Sequence, residues 1–292
     1  MNTGKKFSFT DILILIIMTA AAFLCLYPFY YLVINSISNS SEVVKGIYFF
    51  PVDVNLKAYQ EVFRDNEIIH SIWISIIRTG IGAVLAVGCS GFVGYMVTIK
   101  DFPCKKIVYR FIIITMYLNA GLIPYFLTIN MLHLRNNFLV YVLPGAISAY
   151  YVILIKTYME SIPAELRESA EMDGAGVLSI FFKIMLPLSK PILACIFMFA
   201  AVGQWNSWTD DLYFMNGSDG AKLHCLQLIL YQKMSSLSAK SVSAAVGAGA
   251  STNTALTVRM AMTVVTVIPI ICVYPFVQKF FTKGIMLGAV KG

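Results

Sequence analysis

Of 292 residues, 58% are hydrophobic and only 13% charged, with a formal net charge of +7. Soluble chains carry about 25% charged residues, and here the apolar residues gather into long runs at a mean hydropathy of +0.75, which excludes a soluble domain. With a cytoplasmic N-terminus, 13 of the 22 Lys and Arg fall on inside segments, 8 on outside segments and Arg78 within a span. That bias places both termini in the cytoplasm, and it accounts for the basicity without any nucleic-acid surface.

A membrane-crossing helix needs about 20 largely apolar residues. Six such stretches are predicted, at about 12–36, 70–97, 107–130, 138–158, 188–209 and 260–281. They describe an all-α integral membrane protein, a single transmembrane domain over residues 1–292. The first span follows Lys5 and Lys6 and has no charged side chain from residue 12 to residue 41. It starts like a signal peptide, but it is too long, and Leu26-Tyr27-Pro28-Phe29-Tyr30-Tyr31 is too bulky for a cleavage site. It is therefore expected to remain as the first helix.

An outside segment, about 37–69, carries turn residues (Ser38–Ser41), the aromatic cluster Tyr48, Phe49 and Phe50, and a stretch from Leu56 to Phe63 with helical spacing, expected along the membrane surface. The second span contains Gly80, Gly82, Ala83, Ala86, Gly88, Ser90, Gly91 and Gly94. Small residues let helices approach closely in lipid, which predicts a packed interior helix. Pro124 and Pro144 interrupt spans three and four, which is tolerated where neighbours satisfy the freed carbonyls. Beyond span five lies a long outside segment, about 210–258, whose Ser-, Ala-, Gly- and Thr-rich part from Leu237 to Thr257 is expected to be poorly structured.

Enzymatic chemistry finds no support. GxxxxGK[ST], HExxH and GxSxG are all absent, so no catalytic residue, bound cofactor or metal site is assigned. The six cysteines form no CxxC pair. His70, His133 and His224 lie near outside boundaries, share no ligand spacing and read as interfacial side chains. A charge inside lipid is costly and a functional candidate. Arg78 is such a charge, with snorkelling to the outer face, a structural partner or a solute pathway as its readings. Span five ends in Gly203-Gln204-Trp205-Asn206-Ser207-Trp208-Thr209-Asp210-Asp211. Aromatic faces beside amides and carboxylates suit a sugar surface, and Gln204, Trp205, Asn206 and Trp208 are candidates for the solute pathway. An ordinary interfacial aromatic belt accounts for the same residues.

The most specific signal is the polar loop from Ile162 to Pro191, far longer than the usual linker of about 4–6 residues. Pro163 suits the first turn of a helix, and Glu165 and Glu168 complement its dipole. Ile162, Leu166, Ser169 or Ala170, and Asp173 share a face. Gly174 stops the helix. A second amphipathic stretch, Val177, Ile180, Phe181 and Ile184, follows a hinge at Gly174 and Gly176 and is closed by Pro187 and Pro191.

At these residues the chain resembles the permease subunits of ABC importers, whose loop reads Glu-Ala-Ala, then Gly, then Ile-x-Leu-Pro. Here the matching residues are Glu168-Ser169-Ala170, Gly174 and Ile184-Met185-Leu186-Pro187, with Ser169 a small replacement for the first Ala. Asp173-Gly174-Ala175, the Trp205-Asn206 pair and the tail from Tyr274 to Gly292 are similar to the carbohydrate-uptake class 1 (maltose-type) branch, in particular to permeases for complex oligosaccharides.

The resemblance implies a type I ABC importer permease fold in a bacterial plasma membrane. It also implies that residues 162–187 form a cytoplasmic coupling loop, with Glu165, Glu168, Ser169, Ala170, Asp173, Gly174, Ala175, Leu186 and Pro187 facing or shaping the ATPase contact. The implied partners are a second permease in a heterodimer, two ATPase copies that use ATP and Mg, an extracellular solute-binding lipoprotein, membrane lipid and an oligosaccharide. A non-sugar solute is the alternative cargo. An ion-coupled secondary carrier is disfavoured by the lack of an intramembrane Asp/Glu/His relay and of internal repeats. A membrane anchor that recruits a partner through the same loop is a third class.

Overall fold

In the computed structural model, which describes residues 9–244 and 252–284, the chain is helical, with no strand among those residues. The principal helices are α1 (Phe9–Ser36), α2 (Asn66–Met96), α3 (Lys105–Tyr117), α4 (Leu122–Met131) and α5 (Ala149–Met159). They continue with α6 (Ala164–Met172), α7 (Lys190–Asn206), α8 (Leu226–Ala244) and α9 (Thr252–Gly284). Three are long and apolar enough to cross a membrane: α1, α2 and the Leu256–Pro275 part of α9. A fourth crossing arises if Val177–Leu188 and α7 are taken as one bent span.

The stretches expected as spans three and four are each divided. α3 stops at Tyr117 and α4 restarts at Leu122, with Gly121 left-handed at φ +81°. Pro124, in the first turn of α4, has no N–H to carry a continuous helix across the gap. The short helix Leu139–Val142 is likewise separated from α5 by residues 143–148, which include Pro144 and Gly145. At 1.5 Å per residue, pieces of 13, 10 and 11 residues each fall short of a hydrocarbon core about 30 Å thick.

The described parts of the segment from Leu237 to Thr257 differ from expectation. α8 continues to Ala244 and α9 begins at Thr252; alanine is the best helix former, so this composition is compatible with helix. Residues 245–251 of the segment lie outside the described residues, as do the first eight residues and the tail from residue 285.

Packing divides the described residues into two units, one of segments up to Ile68 with Leu230–Ile268, the other of Ile69–Ile229 with residues from Pro269 onward. In the first, Ile34, Val43 and Ile47 close against Leu256 and Met260. The helix expected over Leu56 to Phe63 is present as Lys57–Arg64 and buries Ala58 and Val62. Asp65 at its end meets Lys233 at 2.6 Å.

In the second unit the small residues of α2 allow the predicted close approach. Ala83 and Ala86 meet Ala200 of α7, and a Cβ added at Gly94 would stand 3.2 Å from the Ile155 side chain of α5. Tyr95, Ile155, Ile180, Phe181, Met185 and Ile196 form the core at one end of this unit.

Candidate functional sites: an exposed coupling loop and a polar cavity

The loop after α5 has two parts with different jobs. Pro163 is the N-cap residue, one position ahead of the first helical residue rather than within the first turn. α6 ends at Met172, and Gly174 follows at φ +79°. The N–H of Gly174 donates to Glu171 O at 3.0 Å and that of Ala175 to Ala170 O at 2.9 Å. This pair of bonds is a Schellman closure, and Ala170 and Ala175 both pack on the core below. The spacing from Ala170 to Gly174 to Ala175 thus has a backbone cause. Gly176 differs: at φ −70° and ψ 160° it is ordinary extended chain, so the hinge needs glycine at Gly174 alone.

Beyond Gly176 the helix Val177–Ile180 runs into a π-helical turn, Phe181–Met185, in which Leu186 N–H donates to Phe181 O. Pro187 offers no N–H and crowds the preceding turn, a condition that a widened turn relieves. The extra residue per turn rotates the buried face. Met185 is buried where the expected helical period pointed to Ile184, which is only half-buried. After Ser189 the chain bends by 82° into α7.

Phe181 anchors this base, with its ring centroid 5.1 Å from Tyr95 and 5.5 Å, edge-on, from Phe92. Tyr95 Oη donates to Val177 O at 3.3 Å. Leu186 packs on the same core. In contrast, α6 buries no residue. Glu165, Glu168, Ser169, Asp173, Gly174 and Pro187 are exposed, and Met172 is 88% exposed. Glu168 is steadied by Lys100, from the turn between α2 and α3, at 3.1 Å, and Arg167 pairs with Glu171 at 3.3 Å. The result is a polar, apolar-tipped helix on a packed base.

The second site surrounds Arg78, which is 1% exposed. Its Nε donates to Gln204 Oε1 at 3.0 Å and its Nη1 to Ser207 O at 2.8 Å. Its guanidinium lies 4.3 Å over the Tyr141 ring, and Gln204 Nε2 donates to Tyr141 O at 3.1 Å. Of its readings, the structural partner holds and snorkelling does not. A cavity of about 250 Å³ adjoins it, with Tyr141, Ser148, Tyr151, Gln204 and Asp210 among its lining.

The other pathway candidates are not brought to this cavity, because successive residues on a helix point about 100° apart. Trp205 is buried against an apolar space of about 70 Å³ with Pro269 and Ile270. Asn206 is exposed, its Oδ1 accepting from Gln227 Nε2 at 3.3 Å. Trp208 precedes the short helix Thr209–Phe214.

Several polar positions escape sequence reading. Asp210 was visible only as part of the Trp-rich motif; its Oδ1 accepts from Tyr125 Oη at 3.1 Å. Asp211 is fully buried, accepting from Cys225 N–H at 2.6 Å and meeting His224 Nδ1 at 2.7 Å. Burial, then the Asp211 charge, pushes the Cys225 thiol up to about 12. His224 thus clips the chain after the Asp pair to Asp211. Tyr125 and Tyr141 carried no signal that set them apart from the other tyrosines. Among the described residues, no group of three or more His, Cys, Asp or Glu is placed to hold a metal.

Residues 91–286 match the family described as binding-protein-dependent transport system inner membrane component. The polygalacturonan/rhamnogalacturonan transport system permease protein YtcP of Bacillus subtilis (strain 168) is 35% identical over 97% of this chain and 98% of its own length. Protein LplC of the same organism is 30% identical over 100% and 98%. A chain from the crystal structure of a bacterial ABC transporter involved in the import of the acidic polysaccharide alginate has a TM-score of 0.82 at 30% identity, covering 95% of this chain and 99% of that one.

Proposed function

Because the chain belongs to the family of inner membrane components of binding-protein-dependent transport systems, we propose that it is one permease half of an ATP-driven oligosaccharide importer. It is a multi-pass transport subunit rather than an enzyme. The observation that carries the reading is α6, a polar helix that buries no residue and is closed by Gly174 on a packed base. Such a helix is built to be held by another protein, and the match to YtcP along nearly the whole chain supports a sugar as cargo.

In this reading the chain crosses the membrane six times with both termini inside, and residues 162–187 are the cytoplasmic coupling loop. Glu165, Glu168, Ser169 and Asp173 meet the ATPase, while Ala170, Gly174, Ala175, Leu186 and Pro187 hold the helix at its angle. Two ATPase copies bind ATP and Mg and close, pulling this loop and that of a second, different permease. The 82° bend at Ser189 then passes the displacement into α7, whose far end holds Gln204 against Arg78. The Arg78–Gln204 cavity borders the solute path, and an extracellular lipoprotein delivers the sugar.

The test is reconstitution of the complete importer with either Glu168→Lys or Gly174→Asp. Each variant is expected to assemble with the second permease yet lose at least tenfold in sugar uptake, with ATP hydrolysis no longer responding to loaded binding protein. Normal uptake by both would overturn the coupling assignment.

A further inference from the structure

α3 extends about 20 Å from Lys105 before it stops, which puts residues 118–121 at the depth of the hydrocarbon core. Irregular backbone at that depth persists only where protein covers it or water reaches it, and discontinuous helices mark solute sites in transporters. This chain leaves the break uncovered: Leu118 is 71% exposed and Ile123 74%. The break opens onto a groove of about 830 Å³, within the range of about 300–1,000 Å³ that ligand sites occupy.

The chemistry of the groove is biased toward acceptors. Thr115 Oγ1 donates to Ile112 O at 2.7 Å and Thr128 Oγ1 to Pro124 O at 2.8 Å, so both hydroxyl hydrogens are spent on the backbone and the oxygens remain as acceptors. Asp210 adds a carboxylate, one oxygen of which takes the Tyr125 hydroxyl. Tyr125 and Tyr213 supply ring faces, and Asn119 stands at the break itself. Asp210 also lines the Arg78 cavity, so the two spaces share this residue.

We infer that this groove, at the break of the third span, is where this subunit contacts the sugar chain, through the ligand's hydroxyl donors and flat ring faces. The assignment rests on the importer reading above. A carboxylate on this wall repels a uronate carboxylate, so an acidic sugar turns its hydroxyl face toward Asp210 and its charge away.

The experiment uses the complete importer in proteoliposomes, with radiolabelled trigalacturonate and the neutral arabinotriose as probes. Asp210→Asn keeps an acceptor for Tyr125 and is expected to raise the KM for uptake about tenfold without changing assembly. Asn119→Cys is expected to react with a charged methanethiosulfonate above the wild-type background, and at least fivefold more slowly when sugar and loaded binding protein are present. If the wild type imports a probe while Asn119→Cys labels at a sugar-independent rate and Asp210→Asn keeps its KM, the groove is overturned and the importer reading stands. No labelling of Asn119→Cys even without sugar means that the second permease covers the groove, which likewise overturns it as a sugar contact. Import of neither probe by the wild type overturns the oligosaccharide reading and the groove with it.

Discussion

Arg78 shows how one side chain sets the tolerance of its neighbours. Gln204 is held from both sides, by Arg78 and by the Tyr141 carbonyl, and it lies directly over Gly82 of α2. A Cβ at Gly82 would come within 2.7 Å of Gln204 Cδ, and moving the amide aside would sacrifice its hydrogen bonds to Arg78 and to the Tyr141 carbonyl. Gly82→Ala is therefore expected to cost about 1–3 kcal/mol as overpacking. In a Gln204→Ala background the same change should be neutral or slightly stabilising, since the clash is gone and alanine is worth up to about 1 kcal/mol over glycine in a helix. Melting temperatures of the two single variants and the double test this non-additivity.

Asp65 and Lys233 make a different residue-scale case. Burial raises the Asp65 carboxyl, but the Lys233 hydrogen bond and charge, with the N–H groups of Glu67 and Ile68, outweigh it and hold the carboxyl below its usual range. A lowered acid favours folding above the unfolded carboxylate range near pH 4, and that contribution is lost as pH falls through the lower folded value. Because both groups are partly exposed, the pair is worth no more than about 1 kcal/mol. Asp65→Asn should flatten the stability–pH profile below about pH 4 and leave the neutral end within that margin.

Among the elements, the loop after α5 separates a packed base from an exposed helix. Phe181 is 3% exposed and sits among Tyr95, Phe92 and Phe182, so Phe181→Ala is expected to cost about 3–5 kcal/mol and to lower the melting temperature clearly. Glu168→Lys, on the exposed helix, should leave the melting temperature within about 2 °C, because surface changes fall within about 0.5 kcal/mol. Both are expected to reduce uptake. A stable Phe181→Ala protein, or an unstable Glu168→Lys one, would contradict the division between base and presented helix.

The limits of α6 were legible in sequence because caps are local: Pro163, Asp173 and Gly174 act on backbone within a few residues. The π turn was not legible. It depends on how Phe181 and Met185 pack against α2 and α5, and a simple helical period placed Ile184 inside instead.

At the scale of the whole molecule, the exposed surface of the chain is strongly apolar. The α1 window is entirely exposed and Trp73 on α2 is 59% exposed, whereas Trp205 is 6% exposed. No soluble protein keeps such patches open; lipid and a second subunit are the solvents they suit. A Trp205→Phe/Trp208→Phe variant, which retains only Trp73, should have its fluorescence quenched by lipids brominated on the acyl chain. The Trp73→Phe/Trp208→Phe variant, which retains Trp205, should be quenched far less. Equal quenching of the two would mean that Trp73 is covered or that Trp205 is open to lipid.

Composition and periodicity alone determined that this is a helical membrane protein, and the Glu168–Gly174–Pro187 spacing alone marked out the loop with its glycine-capped helix. Both are properties of contiguous residues: hydropathy sums along a helix, and a glycine cap acts on its own turn. Tertiary structure decided which polar groups share a space. It joined Arg78 to Gln204 and Tyr141, set Trp205 apart from them, and brought Asp210 beside Tyr125 near the break between α3 and α4. Those pairings link residues 63 to 126 positions apart in the chain, and helix rotation, which no local pattern fixes, determines which of them meet.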